Sequence, residues 1–221
     1  MQPAHFRIAQ LSIAGLCLAF GVAIMGTAGH TLDVYRSQYS TNPWWLPLWS
    51  SHFNVRGTNV LIGAGAVATV VNLTFIALCL LPKLNLTERT TLRAFITITL
   101  IFPSALISFI TVIYVHVINH SAPDTETIQT WTCKVKGQKP GPGSGRLASA
   151  ISNGDFGRLC TESKFALYTT LVIFLLQTAM LVGAIVTWCV EKYSAHKQRK
   201  FEDVSSVEMK EPHVQVQPVN Y

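Results

Sequence analysis

Residues 94–117 read AFITITLIFPSALISFITVIYVHV, a stretch without a single Asp, Glu, Lys or Arg. A helix rising 1.5 Å per residue needs ~20 residues to cross ~30 Å of hydrocarbon, and this stretch is long enough. Three more stretches share the property: IAQLSIAGLCLAFGVAIMGTAG at 8–29, VLIGAGAVATVVNLTFIALCLL at 60–81 and FALYTTLVIFLLQTAMLVGAIVTWCV at 165–190. A chain of 221 residues cannot bury all four in one soluble core. The expected fold is therefore all-α, a polytopic four-helix transmembrane bundle over 1–190. Outer loops at 30–59 and 118–164 and a largely disordered tail over 191–221 complete the expected organisation.

Charge follows the same pattern. Only 13% of residues are charged, against ~25% in soluble domains, and they fall between the apolar runs. The net charge of +6 comes without a basic stripe interleaved with aromatics, which argues against nucleic acid as a partner. Lys192, Lys197, Arg199 and Lys200 follow the last run directly; such a cluster attracts anionic inner-leaflet lipid.

Lys and Arg near helix ends are retained on the cytoplasmic side during insertion. Arg7, Lys83, Arg89, Arg93 and the four basic residues after Val190 stand on one side. These eight outnumber Arg36, Arg56, Arg158 and Lys164 on the other. Both termini are expected in the cytoplasm and the membrane is expected to be the plasma membrane. Arg7, the first apolar run and Gly26-Thr27-Ala28 also compose a signal peptide with a cleavage site. Against that reading, the run exceeds the ~7–15 residue signal core, and cleavage would leave the later orientation unchanged.

Of the five cysteines, Cys133 and Cys160 fall in the second outer loop, whereas Cys17, Cys79 and Cys189 belong to the helices. Disulfides persist in oxidising compartments, so a Cys133–Cys160 bridge is the natural inference, with two free thiols as the alternative. Cys79 and Cys189 read as small packing residues, with palmitoylation as the alternative.

The first outer loop holds Pro43-Trp44-Trp45-Leu46-Pro47-Leu48-Trp49, then His52 and Phe53. Trp carries an apolar ring and an N–H that needs a partner, so it favours the membrane interface. Trp44, Trp45, Trp49 and Phe53 are read as an interfacial belt or as a platform for a sterol, a lipid or a partner helix.

Small residues allow the close backbone approach on which helix association in lipid depends. Gly15, Ala19, Ala23 and Thr27 recur every fourth residue, and Gly63, Ala64, Gly65, Ala66 and Ala68 crowd one half of the second run. Pro103 is expected to kink the third helix, with Ser104 or Ser108 re-satisfying the freed backbone. Asn72 and Gln177 lie midway along parallel helices. They are read as interhelical glue, or alternatively as part of a transport path.

His30, His52, His116 and His120 gather at the expected outer interface. The four are candidates for a metal site or a pH sensor, His116 and His120 sharing one face if the third helix continues and Asp33 or Asp124 adding a carboxylate; amphipathic anchoring is the plainer reading. No metal or other cofactor is otherwise implied. No G-x-S-x-G, H-E-x-x-H, histidine-box cluster or C-x-x-C is present, so no enzyme activity is expected. Of the N-x-S/T sequons, Asn72 lies in a helix, Asn85 faces the cytoplasm and Asn119 abuts the membrane; none is well placed for glycosylation.

The topology is similar to that of tetraspanin, claudin-like and MARVEL-type proteins. Trp131-Thr132-Cys133-Lys134 replaces the tetraspanin Cys-Cys-Gly, and the first loop lacks the claudin cysteine pair. The chain more closely resembles a family of filamentous-fungal four-helix membrane proteins of undefined function. The resemblance is carried by His30-Thr-Leu-Asp-Val-Tyr35, Asn42-Pro-Trp-Trp-Leu-Pro-Leu-Trp49, Thr130-Trp-Thr-Cys133 and Leu159-Cys-Thr-Glu-Ser-Lys-Phe-Ala-Leu167. It implies a shared disulfide and aromatic loop and no activity. The expected role is a non-enzymatic membrane organiser or accessory subunit, whose partners are membrane lipids, other membrane proteins or sterol. The alternative is a small-molecule or ion transport component formed by oligomerisation.

Overall fold

A computed structural model describes residues 3–41, 53–81, 90–121, 125–136 and 156–208. The elements are α1 (Pro3–Thr41), β1 (Phe53–Asn54), α2 (Arg56–Leu80), α3 (Thr90–His120), β2 (Glu126–Thr127), α4 (Ile128–Val135) and α5 (Phe156–Glu208). Four helices, α1, α2, α3 and α5, are long and apolar enough to cross a membrane. They form a ring in which α1 touches α2, α2 touches α3, α3 touches α5 and α5 touches α1, with α2 and α5 in slighter contact across the diagonal. The architecture is the expected all-α four-helix bundle.

Each spanning helix outruns its apolar stretch, because a helix ends at a breaker and not where hydropathy falls. α1 continues from Gly29 through His30, Asp33 and Arg36 to Thr41, two residues before Pro43, which disfavours helix in the residue preceding it. At the other end of the fold, α5 begins at Phe156, well before the apolar residues that start at 165. The loops expected at 30–59 and 118–164 are correspondingly shorter, and the second contains α4 and β2. The tail also departs from expectation: α5 runs on to Glu208, since neither Gly nor Pro occurs between Gly183 and Pro212.

The buried positions of each helix alternate in steps of three and four: Gln10, Ala14, Cys17, Gly21, Ile24 and Ala28 in α1, and Thr97, Ile101, Ser104, Ser108, Thr111 and Val115 in α3. In α5 the series is Ser163, Ala166, Thr170, Ile173, Gln177, Met180 and Ala184. That alternation is the seam of helices crossing at ~+20°. Phe95, Phe102, Ile110, Val70 and Leu175 lie on the outside, the inverse of a soluble protein and the arrangement that lipid favours. Threonine hydroxyls are satisfied within their own helices: Thr69 donates to the Gly65 carbonyl at 2.8 Å, Thr97 to Arg93 and Thr170 to Ala166. Donors turned back in this way need no water.

Two apolar clusters fill the bundle. Cys17, Ile24, Leu61, Ala68, Leu167 and Ile173 belong to one; Ala14, Phe75, Cys79, Ile101, Met180 and Leu181 belong to the other. Asn72 falls between Ala68 and Phe75, and Gln177 between Ile173 and Met180, so a polar layer separates the two clusters. Arg93, expected in a connection, lies buried inside α3 with its Cζ 5.2 Å from the centre of the Phe6 ring. Phe6 also fills the space above Gly183, where a Cβ would meet its ring carbons at 3.1 and 3.2 Å.

Candidate functional site

The end of the bundle that carries the disulfide is closed by a small folded cap. Cys133 of α4 and Cys160 of α5 are bonded, with Cα atoms 4.9 Å apart. Phe53 and Asn54 pair in parallel with Glu126 and Thr127, joining the two interhelical segments through backbone hydrogen bonds. Beneath this ladder Phe156 and Leu159, both fully buried, pack with Val34, Tyr35, Phe53, Trp131 and Val135. The Phe53 ring stacks on Tyr35 at 4.7 Å between centres and 14° between planes.

α4 forms because Thr127 and Thr130 cap it reciprocally: the Thr130 N–H donates to Thr127 Oγ1 at 3.2 Å and the Thr127 N–H donates to Thr130 Oγ1 at 2.9 Å. The buried Glu126 carboxylate accepts from Thr130 Oγ1 at 2.8 Å and pairs with Lys134 Nζ at 3.1 Å. Asn119, at the end of α3, accepts from Thr127 Oγ1 at 2.7 Å and donates to Gln129 Oε1 at 3.0 Å. Both amide atoms of this sequon asparagine are thereby engaged in tying the cap to the bundle.

His30, His116 and His120 lie at the same end of the bundle, and His30 is held by an ion pair. Its Nδ1 pairs with Glu162 Oε2 at 2.8 Å, and Arg158 Nε donates to the other carboxylate oxygen at 2.7 Å. His116 and His120 do share a face, with rings edge to face at 5.9 Å. His52, Trp44, Trp45 and Trp49 lie outside the described residues, as do Lys83, Arg89 and Asp124. Among the described residues no group of three or more His, Cys, Asp or Glu could hold a metal ion.

Two cavities open at this end among the described residues. One, of about 20 Å³, lies among Thr31, Thr58, Asn119, Thr127 and Ser163, and the buried Ser163 hydroxyl has no protein partner. It is the size of one water. The other is a cleft of about 430 Å³ between α3, α4 and α5, bordered by His116, His120, Gln129, Lys164, Leu167 and Tyr168.

In the bundle interior Asn72 and Gln177 are both fully buried, and they do not bond to each other. Gln177 Nε2 donates to Ser104 Oγ at 2.8 Å, bridging α5 and α3. Asn72 Nδ2 donates to the Ala68 carbonyl of its own helix at 2.7 Å. The carbonyl oxygens of both amides are left without a partner. Ser104, one of the two serines expected to serve the backbone near Pro103, accepts this bond from Gln177.

Of the small-residue stripe on α1, Ala19 is exposed and Gly15, Ala23 and Thr27 are half-buried. Gly26 is exposed as well, and a Cβ on Gly15, Gly26 or Gly29 would meet nothing within 4 Å. The close approach uses Gly21 instead, against Gly65 of α2. At the far end, Lys192 and Lys197 are exposed along α5, and Arg199 and Lys200 continue the same helix.

No protein-family model matches the chain, and no curated protein or solved structure matches it either.

Proposed function

We propose that this chain is a non-enzymatic membrane organiser or accessory subunit of tetraspan type that holds a neighbouring membrane protein against α1. The carrying observation is that small residues of α1 stand outside the bundle contacts: Ala19 of the stripe and the neighbouring Gly26 are exposed, and a Cβ on half-buried Gly15 or on Gly26 would meet nothing within 4 Å. A partner helix approaching there would reach the α1 backbone closely, which is how helices associate in lipid. The disulfide-braced cap supports the reading by holding α1, α3 and α5 in fixed relation. We further propose a plasma-membrane location with both termini in the cytoplasm, on the Lys and Arg bias. The resemblance to filamentous-fungal four-helix membrane proteins is compatible with such a role and adds no activity to it.

A photoreactive residue at Ala19 tests the proposal in native membranes. It should give a protein adduct that Gly15→Leu and Gly26→Leu abolish, while the unfolding midpoint stays unchanged. Lipid adducts alone, in the unmutated chain, would defeat it. The transport alternative is favoured by one observation, the unpartnered buried oxygens of Asn72 and Gln177; it requires an oligomer with a wet path past them.

A further inference from the structure

We propose that the cleft between α3, α4 and α5 binds the phosphate-bearing head group of an anionic phospholipid, whose acyl chain lies along the seam of α3 and α5. Three independent features of the cleft lead to this ligand. Its volume of about 430 Å³ is far beyond a water and falls in the range of small-molecule sites. Its chemistry is that of an anion receptor: the Lys164 ammonium, the His116 and His120 imidazoles and the Tyr168 hydroxyl border it, and no carboxylate does among the described residues. Lys164 has no carboxylate partner among the described residues, whereas the cap's two buried or half-buried glutamates are already engaged, Glu126 by Lys134 and Glu162 by His30 and Arg158.

Position selects a lipid over a soluble anion. His116 stands at the end of the apolar run 94–117 and Lys164 immediately before the run 165–190, so the cleft sits at the hydrocarbon boundary, where lipid phosphates lie. Directly below it the seam offers an apolar track: Ile113, Tyr168, Leu171 and Leu175 are exposed, and Phe109 meets Phe174 across the two helices with ring centres 5.0 Å apart. A phosphate in the cleft with a chain on that track satisfies both halves of the surface at once. The site is distinct from the basic cluster of α5, which lies at the other end of the bundle.

Native mass spectrometry of the full-length, disulfide-bonded chain supplies the test, with equimolar phosphatidylglycerol and phosphatidylcholine added after delipidation. Lys192, Lys197, Arg199 and Lys200 are first replaced by Ala, so that anionic lipid held by that cluster does not mask the cleft, and the loss on changing the cleft residues reads the cleft. Phosphatidylglycerol should be retained about fivefold over phosphatidylcholine, as one lysine near an anionic surface provides. Lys164→Ala should remove most of the preference, Lys164→Arg should preserve it, and His116→Ala with His120→Ala should weaken it. An unchanged unfolding midpoint in each variant separates lost binding from lost fold. Equal retention of the two lipids, or a preference that survives Lys164→Ala with both histidines replaced, would overturn the proposal. Thermal stabilisation by inorganic phosphate equal to that by the lipid would make the occupant a free anion and overturn it too.

Discussion

The backbones of Gly21 and Gly65 cross so closely that a Cβ built on either glycine would stand 3.0 Å from the other's carbonyl oxygen. A Cβ at Gly21 would also meet Thr69 Oγ1 at 2.6 Å, and one at Gly65 would meet Ile24 Cγ2 at 3.1 Å and Met25 Cγ at 3.2 Å. The obstacle in each case includes backbone, which cannot swing aside, so α1 and α2 must move apart. Gly21→Val or Gly65→Val should therefore destabilise the bundle by about 1–3 kcal/mol, the usual cost of overpacking. Denaturant titration in micelles measures the loss. Gly15→Val and Gly26→Val enter open space and should leave the midpoint where it is.

The rotation of the helices was only half legible before the structure. Runs apolar on every side carry no amphipathic signal to say which face turns inward, and the stripe Gly15, Ala19, Ala23 and Thr27 lies beside the buried seam of α1, with only Ala19 fully exposed. A second regularity was present: Gln10, Ala14, Cys17, Gly21, Ile24 and Ala28 repeat in steps of four and three and combine small with polar residues. In lipid that combination marks the inside, because large apolar side chains gain nothing by leaving hydrocarbon. The spans themselves were legible because four charge-free stretches have few alternatives. Of the cap only the Cys133–Cys160 bridge was legible, since Glu126, Asn119, Tyr35 and Phe156 form one unit through pairings distant in sequence.

Phe156 and not the ion pairs holds the cap together. The ring is fully buried among Tyr35, Phe53 and Trp131, and Phe156→Ala should cost about 3–5 kcal/mol of cap stability. Glu162 links His30 to Arg158, but these partners are 42% and 69% exposed, and Glu162→Gln should cost less than about 1 kcal/mol. Hydrogen exchange of the α4 amides ranks the two. Equal protection loss in both variants would show that the aromatic cluster is not the main support.

Cys133→Ser or Cys160→Ser should loosen α4 without dispersing the four spanning helices. The bridge closes 27 residues of separation, for which chain entropy gives about 3–4 kcal/mol, and that gain acts on the cap alone. Far-ultraviolet helicity in micelles should change little while α4 amides lose protection and folded yield falls. Recovery of both thiols in alkylated form without prior reduction of the unmutated protein would contradict the bond.

The proposed orientation makes a separate test. Tags at either terminus should resist protease in sealed right-side-out vesicles, while a protease site inserted near Gly143 should be cut from outside. The reasoning rests on basic residues near helix ends. A protected site at Gly143 together with a cleaved tail would invert the protein.

The Gln177–Ser104 hydrogen bond distinguishes glue from a transport path. Removing the Ser104 hydroxyl leaves the buried Gln177 amide with neither its donor bond nor a carbonyl partner, whereas removing both polar groups leaves nothing unsatisfied at this contact. Ser104→Ala should cost about 0.6–2 kcal/mol, and adding Gln177→Leu should restore much of that loss, a coupling that a double-mutant cycle in micelles measures. If the amides only join helices, the double variant reaches native membranes in normal amount and keeps every partner adduct at Ala19. If they line a permeation path, the double variant is equally stable and abolishes solute flux in proteoliposomes. Flux that is present in the unmutated protein and lost in the stable double variant would replace the organiser reading with the transport one.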